Sequence, residues 1–279
     1  MKKRTKELVK ELKSRKIDGL LVFKRERLDN KNLSYLSGFT GQFNAYLILT
    51  PKDKILITTD RYLEEAKEEC PEFEVLSYRK PYINKLKEVI QRLDIEKLGY
   101  ESKGLTVKLL NELKEEIPKI DFVPTTDIIM NLRSKKDSEE VNYMRKAAII
   151  TDLAFEHIKD CIKPGVTERE LALELEFFIR NNEDSKLAFD TIFVSVSRTS
   201  LQHGIPSNKK IDSGDFITID FGAMYKNYCS DMTRTLILGS PSKKQEEVYN
   251  IVRKSQQEGL NALKPGVKTS EVSKEAWNI

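Results

Sequence analysis

Two aspartates occupy positions in the sequence where strands are expected. Asp220 ends the alternating segment 216–220, and Asp231 precedes the alternating segment 232–235. If these segments form a symmetric antiparallel hairpin, its centre lies at (220 + 231)/2 = 225.5, and the two aspartates are direct cross-strand partners. Their Cβ atoms would then lie about 5 Å apart on one face of the sheet.

The residues around the two aspartates alternate in polarity with the period of a strand. One face is predicted to carry Thr218, Asp220, Gly222, Asp231 and Thr233, and the other face Ile217, Ile219, Phe221 and Met232. The second set is apolar, so we expect it to pack on the core of the domain. The carboxylates then lie on the face that points away from the core.

Paired carboxylates on a strand pair need a compensating charge. Aspartate is depleted in strands, and like charges placed opposite each other destabilise a sheet. A divalent cation shared by Asp220 and Asp231 is one solution, since carboxylate oxygens suit hard ions such as Mn²⁺ or Mg²⁺. The alternative is that Arg234 or a lysine neutralises the two carboxylates at a solvated edge.

The chain contains two histidines, His157 and His203. His203 lies in the segment 200–207, a loop between strands that includes Gly204 and Pro206. It is a candidate proton donor or acceptor near neutral pH, and the alternative is a surface turn residue. His157 is predicted in the middle of a helix with no acidic or cysteine partner in a ligand pattern, which favours a structural role.

The elements that must position these residues divide the chain into two parts. Up to about residue 125, predicted strands at 17–23, 45–50 and 54–59 alternate with helices near 63–69, 82–93 and 105–117, which indicates an α/β layer with a mixed sheet. From residue 127 long helices begin, with capping boxes at Asp137/Glu140 and Thr167/Glu170. Strands are expected at 189–196, 215–223 and 228–238, followed by a helix from Ser242 toward Leu263. The predicted domains are therefore residues 1–126 and 127–279.

A four-residue string occurs twice in the second part. Residues 264–267 repeat Lys-Pro-Gly-Val at 163–166, at a spacing of 264 − 163 = 101 residues, and each copy lies between a long helix and a second helix with an acidic cap. This setting favours an internal repeat. The last residue would then correspond to position 279 − 101 = 178 of the first unit, so the second unit is expected to stop before its strands.

Composition narrows the function classes. Of 279 residues, 39% are hydrophobic, enough for a core in each half, and 33% are charged with a net charge of +4. Acidic residues interleave with the basic ones, which argues against a nucleic-acid partner. No apolar run approaches the ~20 residues of a membrane span, and there is no secretory signal pattern. The three cysteines are widely spaced, so a cytoplasmic protein with reduced thiols is expected.

Several motifs, taken in order, resemble one protein family. Residues 203–207, His-Gly-Ile-Pro-Ser, are followed by Ile-Asp-Phe-Gly-Ala at 219–223 and Tyr-Cys-Ser-Asp-Met-Thr-Arg-Thr at 228–235. This series resembles the pita-bread metallopeptidases, and within them the Xaa-Pro peptidases, aminopeptidase P and prolidase. Residues 32–41 and 59–62 are similar to the creatinase-type N-terminal domain. The resemblance implies an α/β N-terminal domain followed by an α+β pita-bread catalytic domain, which we expect to be incomplete in this chain.

The resemblance also implies a reaction and its site. The family cleaves the peptide bond that precedes proline, using two carboxylate-bridged divalent metal ions. Manganese is the expected metal, and cobalt and zinc are the alternatives. Asp220 and Asp231 correspond to the first two ligands, and His203 to the histidine that contacts the substrate near the scissile bond. Proline-containing peptides are the implied partners, and a homodimer is expected.

The sequence also departs from the family pattern. The implied ligand set contains a histidine and two further glutamates, yet no histidine follows Asp231 and the later glutamates fall in predicted helices. We therefore expect the 279-residue chain to be inactive alone. Val196 stands where the family has glycine, and Gln202 where it often has proline. Two alternatives remain: a non-catalytic pita-bread-like binding protein, and a relative acting on small amidino substrates, which the aspartate pair disfavours.

Overall fold

The computed structural model describes residues 2–26, 30–79, 81–182 and 184–279. The chain divides into two compact units, Met1–Lys136 and Asp137–Ile279. The division lies after the position 126/127 expected from the sequence, because the helix Ile128–Ser134 buries Ile128 and Ile129 in a core of the first unit.

The first unit is built on a six-stranded mixed sheet. Its strands are β1 (Gly19–Lys24), β2 (Ala45–Leu49), β3 (Lys54–Thr59), β4 (Glu74–Tyr78), β5 (Lys97–Glu101) and β6 (Asp121–Thr125), in the order β4-β3-β2-β1-β5-β6. Strand β2 is antiparallel to β1 and to β3, and the other three pairings are parallel. The mixed sheet predicted from the alternation of helices and strands is confirmed.

Helices cover both faces of this sheet. They are α1 (Lys2–Ser14), α2 (Lys31–Ser37), α3 (Leu63–Glu69), α4 (Tyr82–Arg92), α5 (Val107–Glu116) and α6 (Ile128–Ser134). Alternate residues of β1 serve two separate cores: Leu20 and Val22 belong to one, with α1, α2 and α6, and Leu21 and Phe23 to the other, with α4 and α5. A strand buried on both faces reads as a continuous apolar run, which explains the sequence of β1.

The second unit contains α7 (Ser138–Cys161), α8 (Glu168–Arg180), α9 (Lys243–Ala262) and α10 (Thr269–Trp277). Both predicted capping boxes, Asp137/Glu140 and Thr167/Glu170, are present. The repeated Lys-Pro-Gly-Val strings link α7 to α8 and α9 to α10. In each string the glycine has a positive φ (92° at Gly165, 89° at Gly266), and the valine amide donates to the lysine carbonyl, so both copies form the same turn.

Two three-stranded sheets complete the second unit. The strands are β7 (Ser185–Leu187), β8 (Ile192–Ser195), β9 (Phe216–Phe221), β10 (Ala223–Tyr225), β11 (Tyr228–Cys229) and β12 (Met232–Ile237), ordered β12-β9-β8 and β11-β10-β7. The long strands expected at 215–223 and 228–238 are each interrupted. At Gly222 a Cβ atom would lie 2.1 Å from the Ser230 carbonyl oxygen, so only glycine allows the chain to pass there.

Within the described ranges, none of the helices is both long enough and apolar enough to cross a membrane.

Candidate active site

The hairpin that carries the two aspartates is centred one residue later than the sequence predicts. Thr233, not Asp231, is the partner of Asp220, and Tyr225 pairs with Tyr228. The turn between them is Lys226–Asn227, both with positive φ (48° and 68°), the conformation of a two-residue type I′ hairpin turn. The prediction of a symmetric hairpin with directly opposed aspartates is therefore wrong, because the turn type sets the register.

Asp231 is instead a diagonal neighbour of Asp220. It lies just before β12 and two residues before Thr233, and it lines the same cavity as Asp220. The predicted alternation is confirmed on β9, where Ile217, Ile219 and Phe221 are fully buried in the core of this unit. Both carboxylates therefore lie on the face away from that core.

No basic side chain of the described residues lies within 4.0 Å of either carboxylate, so the alternative of neutralisation by an ion pair is wrong. Arg234 lies over the ring of Phe155, 5.7 Å from its centroid, on the opposite face of the strand. Among the described residues, the side-chain hydrogen bond that Asp220 accepts comes from the Thr233 hydroxyl, at 2.9 Å to Oδ1. Carboxylates that form no ion pair are suitable ligands for a hard divalent cation.

The three residues singled out from the sequence line one cavity of about 780 Å³. Asp220 and Asp231 contribute from the hairpin, and His203 from the loop before β9. The remaining walls come from α8, from the segment before β8 and from the His203 loop: Arg169, Ala172, Leu173, Glu176, Phe189, Asp190, Thr191, Ile192, Gly204, Ile205 and Pro206. The cavity thus combines converging charged and polar side chains with apolar wall residues, as small-ligand sites do.

A buried glutamate of α8, Glu168, holds the two ends of the His203 loop. Its Oε1 accepts the Ser195 amide (2.8 Å) and hydroxyl (2.9 Å), and its Oε2 accepts the Ser207 amide (3.1 Å) and hydroxyl (2.7 Å). Arg198 adds an ion pair at 3.1 Å to Oε2 and donates to the Ile205 carbonyl at 2.6 Å. The exposed imidazole of His203 therefore sits on a loop with fixed ends.

Electrostatics at Glu168 favour the ionised carboxylate. Burial raises the pKa of Glu168, but the hydrogen bonds from Ser207 and Ser195 outweigh it and leave the pKa below its ordinary value. Sequence reasoning missed this residue, because an acidic side chain in the first turn of a helix usually serves the helix dipole at the surface. The only available signal was the density of serines at 195–207.

Backbone conformation explains one departure from the family pattern. Val196 has φ 53°, in the left-handed region that a β-branched residue rarely adopts, and its side chain is 43% exposed. Glycine, expected there from the resemblance, would adopt this conformation without strain. Beside His203, a Cβ on Gly204 would lie 2.6 Å from Val194 Cγ1, so close packing of the loop on β8 requires glycine.

A second group that sequence reasoning missed is Thr191. It is buried, lines the cavity next to Ile192, and Ile192 pairs with Asp220. Its Oγ1 atom finds no hydrogen-bond partner among the described residues. Nothing in the sequence around Thr191 marks it as different from an ordinary buried strand residue.

His157 does not line the cavity. The prediction that it has no acidic or cysteine partner is wrong: its Nε2 atom lies 2.6 Å from Glu174 Oε1 and 3.9 Å from Cys161 Sγ. Cys161 is one turn further along α7. Glu174 lies on α8, and the helical pattern of α7 alone does not indicate that it contacts His157.

Comparison with known proteins gives concordant results for both units. Residues 142–279 match the model of metallopeptidase family M24, and residues 4–135 match the creatinase/prolidase N-terminal domain. An uncharacterized peptidase of Bacillus subtilis, YqhT, is 38% identical over 256 residues, which are 91% of this chain and 70% of that protein. The Xaa-Pro dipeptidase of Pyrococcus horikoshii is 34% identical over 280 residues, 100% of this chain and 76% of the relative.

Comparison with solved structures indicates the same family. The Xaa-Pro dipeptidase from Bacillus anthracis superposes with a TM-score of 0.88 at 36% identity, covering 99% of this chain and 76% of that chain. The expected fold, a creatinase-type α/β domain followed by a pita-bread domain, is thereby confirmed.

Proposed function

Because the chain belongs to metallopeptidase family M24 and has the creatinase/prolidase type of N-terminal domain, we propose that it carries part of the site of a metal-dependent Xaa-Pro peptidase. Its substrates are proline-containing peptides cleaved at the bond before proline. One observation carries the proposal: Asp220, Asp231 and His203 line a single cavity, and no basic side chain in the described part of the chain lies within 4.0 Å of either carboxylate.

Asp220 and Asp231 are the residues of this chain that would hold divalent metal. Their oxygens suit a hard cation, with Mn²⁺ as the expected ion and Co²⁺ or Zn²⁺ as alternatives. When bound, the two ions of the family site activate a water molecule and polarise the scissile carbonyl. The Thr233 hydroxyl bonds to Oδ1 of Asp220, which orients this carboxylate as outer hydrogen bonds do for metal ligands.

His203 is proposed to contact the substrate near the scissile bond. An imidazole can donate a hydrogen bond to a carbonyl oxygen or exchange a proton with the leaving group near neutral pH. The contacts of Glu168 on both sides of the loop limit how far the imidazole can move. Leu173, Phe189 and Ile205 supply apolar wall that fits a side chain or a proline ring.

The proposal includes a limit on activity. The resemblance implies a histidine and two glutamates as further ligands, and the chain has no histidine after Asp231. Two carboxylates alone bind a divalent ion weakly and do not create a second open site. The 279-residue chain is therefore expected to bind metal without appreciable hydrolysis.

Hydrolysis of an Xaa-Pro dipeptide and an Xaa-Pro tripeptide, with Mn²⁺ and then with chelator, tests this limit. The expected result is no turnover above background by a folded sample. Chelator-sensitive turnover that Asp220→Ala abolishes would support the peptidase and contradict the limit on activity. Turnover that Asp220→Ala leaves unchanged would contradict the assigned site.

A second candidate is a non-catalytic binding protein that uses the same cavity, whose apolar wall includes Leu173, Phe189 and Ile205. It predicts that a proline-containing peptide binds equally well with and without divalent metal, and equally well to the wild type and to Asp220→Asn. The peptidase proposal predicts binding that metal strengthens and that Asp220→Asn weakens.

A homodimer in the cytoplasm is the expected setting. Within the described ranges, Cys70, Cys161 and Cys229 form no disulfide, as in proteins of reducing compartments. Sedimentation of the purified chain tests the oligomeric state.

A further inference from the structure

Three potential metal ligands meet on the side of α8 that faces α7. His157 and Cys161 are one turn apart on α7, so both side chains project from the same face of that helix. Glu174 reaches them from α8, with Oε1 at 2.6 Å from His157 Nε2. Cys161 Sγ lies 3.9 Å from the same nitrogen, and one ligand atom from each residue lies within 4.8 Å of the other two.

This spacing is close to that of a first coordination shell. Around one tetrahedral zinc ion, with bonds of about 2.0 to 2.3 Å, the ligand atoms lie about 3.3 to 3.7 Å apart. The separation of 2.6 Å between nitrogen and oxygen would lengthen and the separation of 3.9 Å between sulfur and nitrogen would shorten, each by less than about 1 Å. Changes of this size are of the order that side-chain rotation produces.

The imidazole is already oriented by its surroundings. Its ring stacks on Phe178, with centroids 4.5 Å apart and an angle of 19° between the planes. Ala154 and Ile158 of the same helix are fully buried in the core of this unit, which anchors α7 beneath the ligands. The His157 and Glu174 side chains are 34% and 45% exposed, so an ion and a water molecule as fourth ligand have access.

We propose that His157, Cys161 and Glu174 form a second metal site, specific for thiophilic divalent ions such as Zn²⁺. Nitrogen, sulfur and carboxylate donors together suit zinc and are soft compared with the aspartate pair, which suits manganese. None of the three residues lines the cavity that contains Asp220. The site therefore does not depend on the proposed peptidase function. A bound ion would cross-link α7 to α8, the helix whose opposite face forms part of the cavity wall.

Cobalt is the probe, because Co²⁺ bound to a thiolate gives a near-ultraviolet charge-transfer band that carboxylate and imidazole ligands do not give. The wild type is expected to develop this band on titration with Co²⁺ and to lose it when Zn²⁺ is added. Cys161→Ser should abolish the band, and His157→Gln and Glu174→Gln should each weaken Co²⁺ binding at least about 10-fold. Cys229→Ser is the matched control, since it removes the exposed cysteine near Asp231 and should leave the band unchanged.

Two results would overturn the site. One is a wild type without the band, which would leave His157 and Glu174 as an ion pair only. The other is a band that Cys229→Ser removes and Cys161→Ser retains, which would assign the thiolate to the region of Asp231. Asp220→Asn should keep the band, so loss of the aspartate site and loss of this site are distinguishable.

A measurement on the unmutated chain covers the case of a variant that does not fold. Alkylation of Cys161, followed by mass spectrometry, should slow at least about 10-fold in Zn²⁺ relative to chelator, with Cys229 as the internal reference. Equal alkylation rates of Cys161 in zinc and in chelator would contradict the proposal.

Discussion

The Asp220 cavity and the His157 cluster differ in how the chain assembles them. The cavity receives Asp220 and Asp231 from a hairpin and His203 from a loop. Their placement depends on backbone details: a type I′ turn, a glycine crossing and a loop held by a buried glutamate. The cluster depends only on two packed helices, one of which supplies two of its three groups. Hence, backbone substitutions should affect the cavity strongly and the cluster only through the stability of the unit they share.

The largest effect is expected at the crossing that bends the hairpin. Gly222→Ala places a Cβ atom 2.1 Å from the Ser230 carbonyl oxygen, a contact that only a backbone shift can relieve. We expect a loss of about 4 kcal/mol in the free energy of unfolding, measured by urea denaturation.

Gly259→Ala is the control for Gly222→Ala. Its new Cβ would lie 3.5 Å from Ala276 Cβ, an ordinary contact, and alanine favours the helix α9. This variant should be neutral or slightly stabilised. Equal stability of the two variants would show that the hairpin accommodates a side chain at Gly222, so that the bend does not require glycine.

The next largest loss of stability is expected at Glu168, which holds the two ends of the His203 loop. Glu168→Gln removes the charge that accepts bonds from Ser195, Ser207 and Arg198, so we expect a loss of about 2 to 3 kcal/mol at pH 7. Because the pKa of Glu168 is lower in the folded chain than its ordinary value of 4.5, its contribution is fully present above about pH 4.5. It is lost as the pH falls through the lower, folded pKa.

Urea denaturation at pH 7 and at successively lower pH checks this linkage. The stability difference between the wild type and Glu168→Gln should shrink below pH 4.5, since protonation removes the charge from the wild type as well. A difference that does not change with pH would mean that the glutamine variant is destabilised by its shape and not by loss of the charge.

The smallest effect is expected at Val196. Substitution by glycine relieves a left-handed conformation that costs about 1 to 2 kcal/mol, against an entropy loss of about 0.5 to 1 kcal/mol. Val196→Gly should therefore stabilise the chain by about 0.5 to 1 kcal/mol in urea denaturation.

Val248→Gly is the matched control, since Val248 is also 43% exposed but lies in the helix α9. It should destabilise by about 0.5 kcal/mol. Changes of the same sign in both variants would contradict the assignment of strain to Val196.

Much of this arrangement was predictable from local pattern. Period-two alternation identified the face of β9, and the two predicted capping boxes, Asp137/Glu140 and Thr167/Glu170, are present. The register of the hairpin was not predictable. A symmetric hairpin would be centred at 225.5, whereas the I′ turn at Lys226–Asn227 moves the centre by one residue, and only the backbone conformation distinguishes the two. Glu168 and Glu174 were missed for a related reason: each acts on residues that are distant in sequence, so no spacing rule connects them.

Isothermal titration calorimetry with Mn²⁺ is the direct test of a divalent metal site formed by Asp220 and Asp231. The isosteric variants Asp220→Asn and Asp231→Asn keep the shape of each side chain and remove its charge. We expect weak Mn²⁺ binding by the wild type and at least about a 10-fold loss of affinity in each variant, with Cys161→Ser unchanged. Equal Mn²⁺ binding by the wild type and both asparagine variants would contradict it.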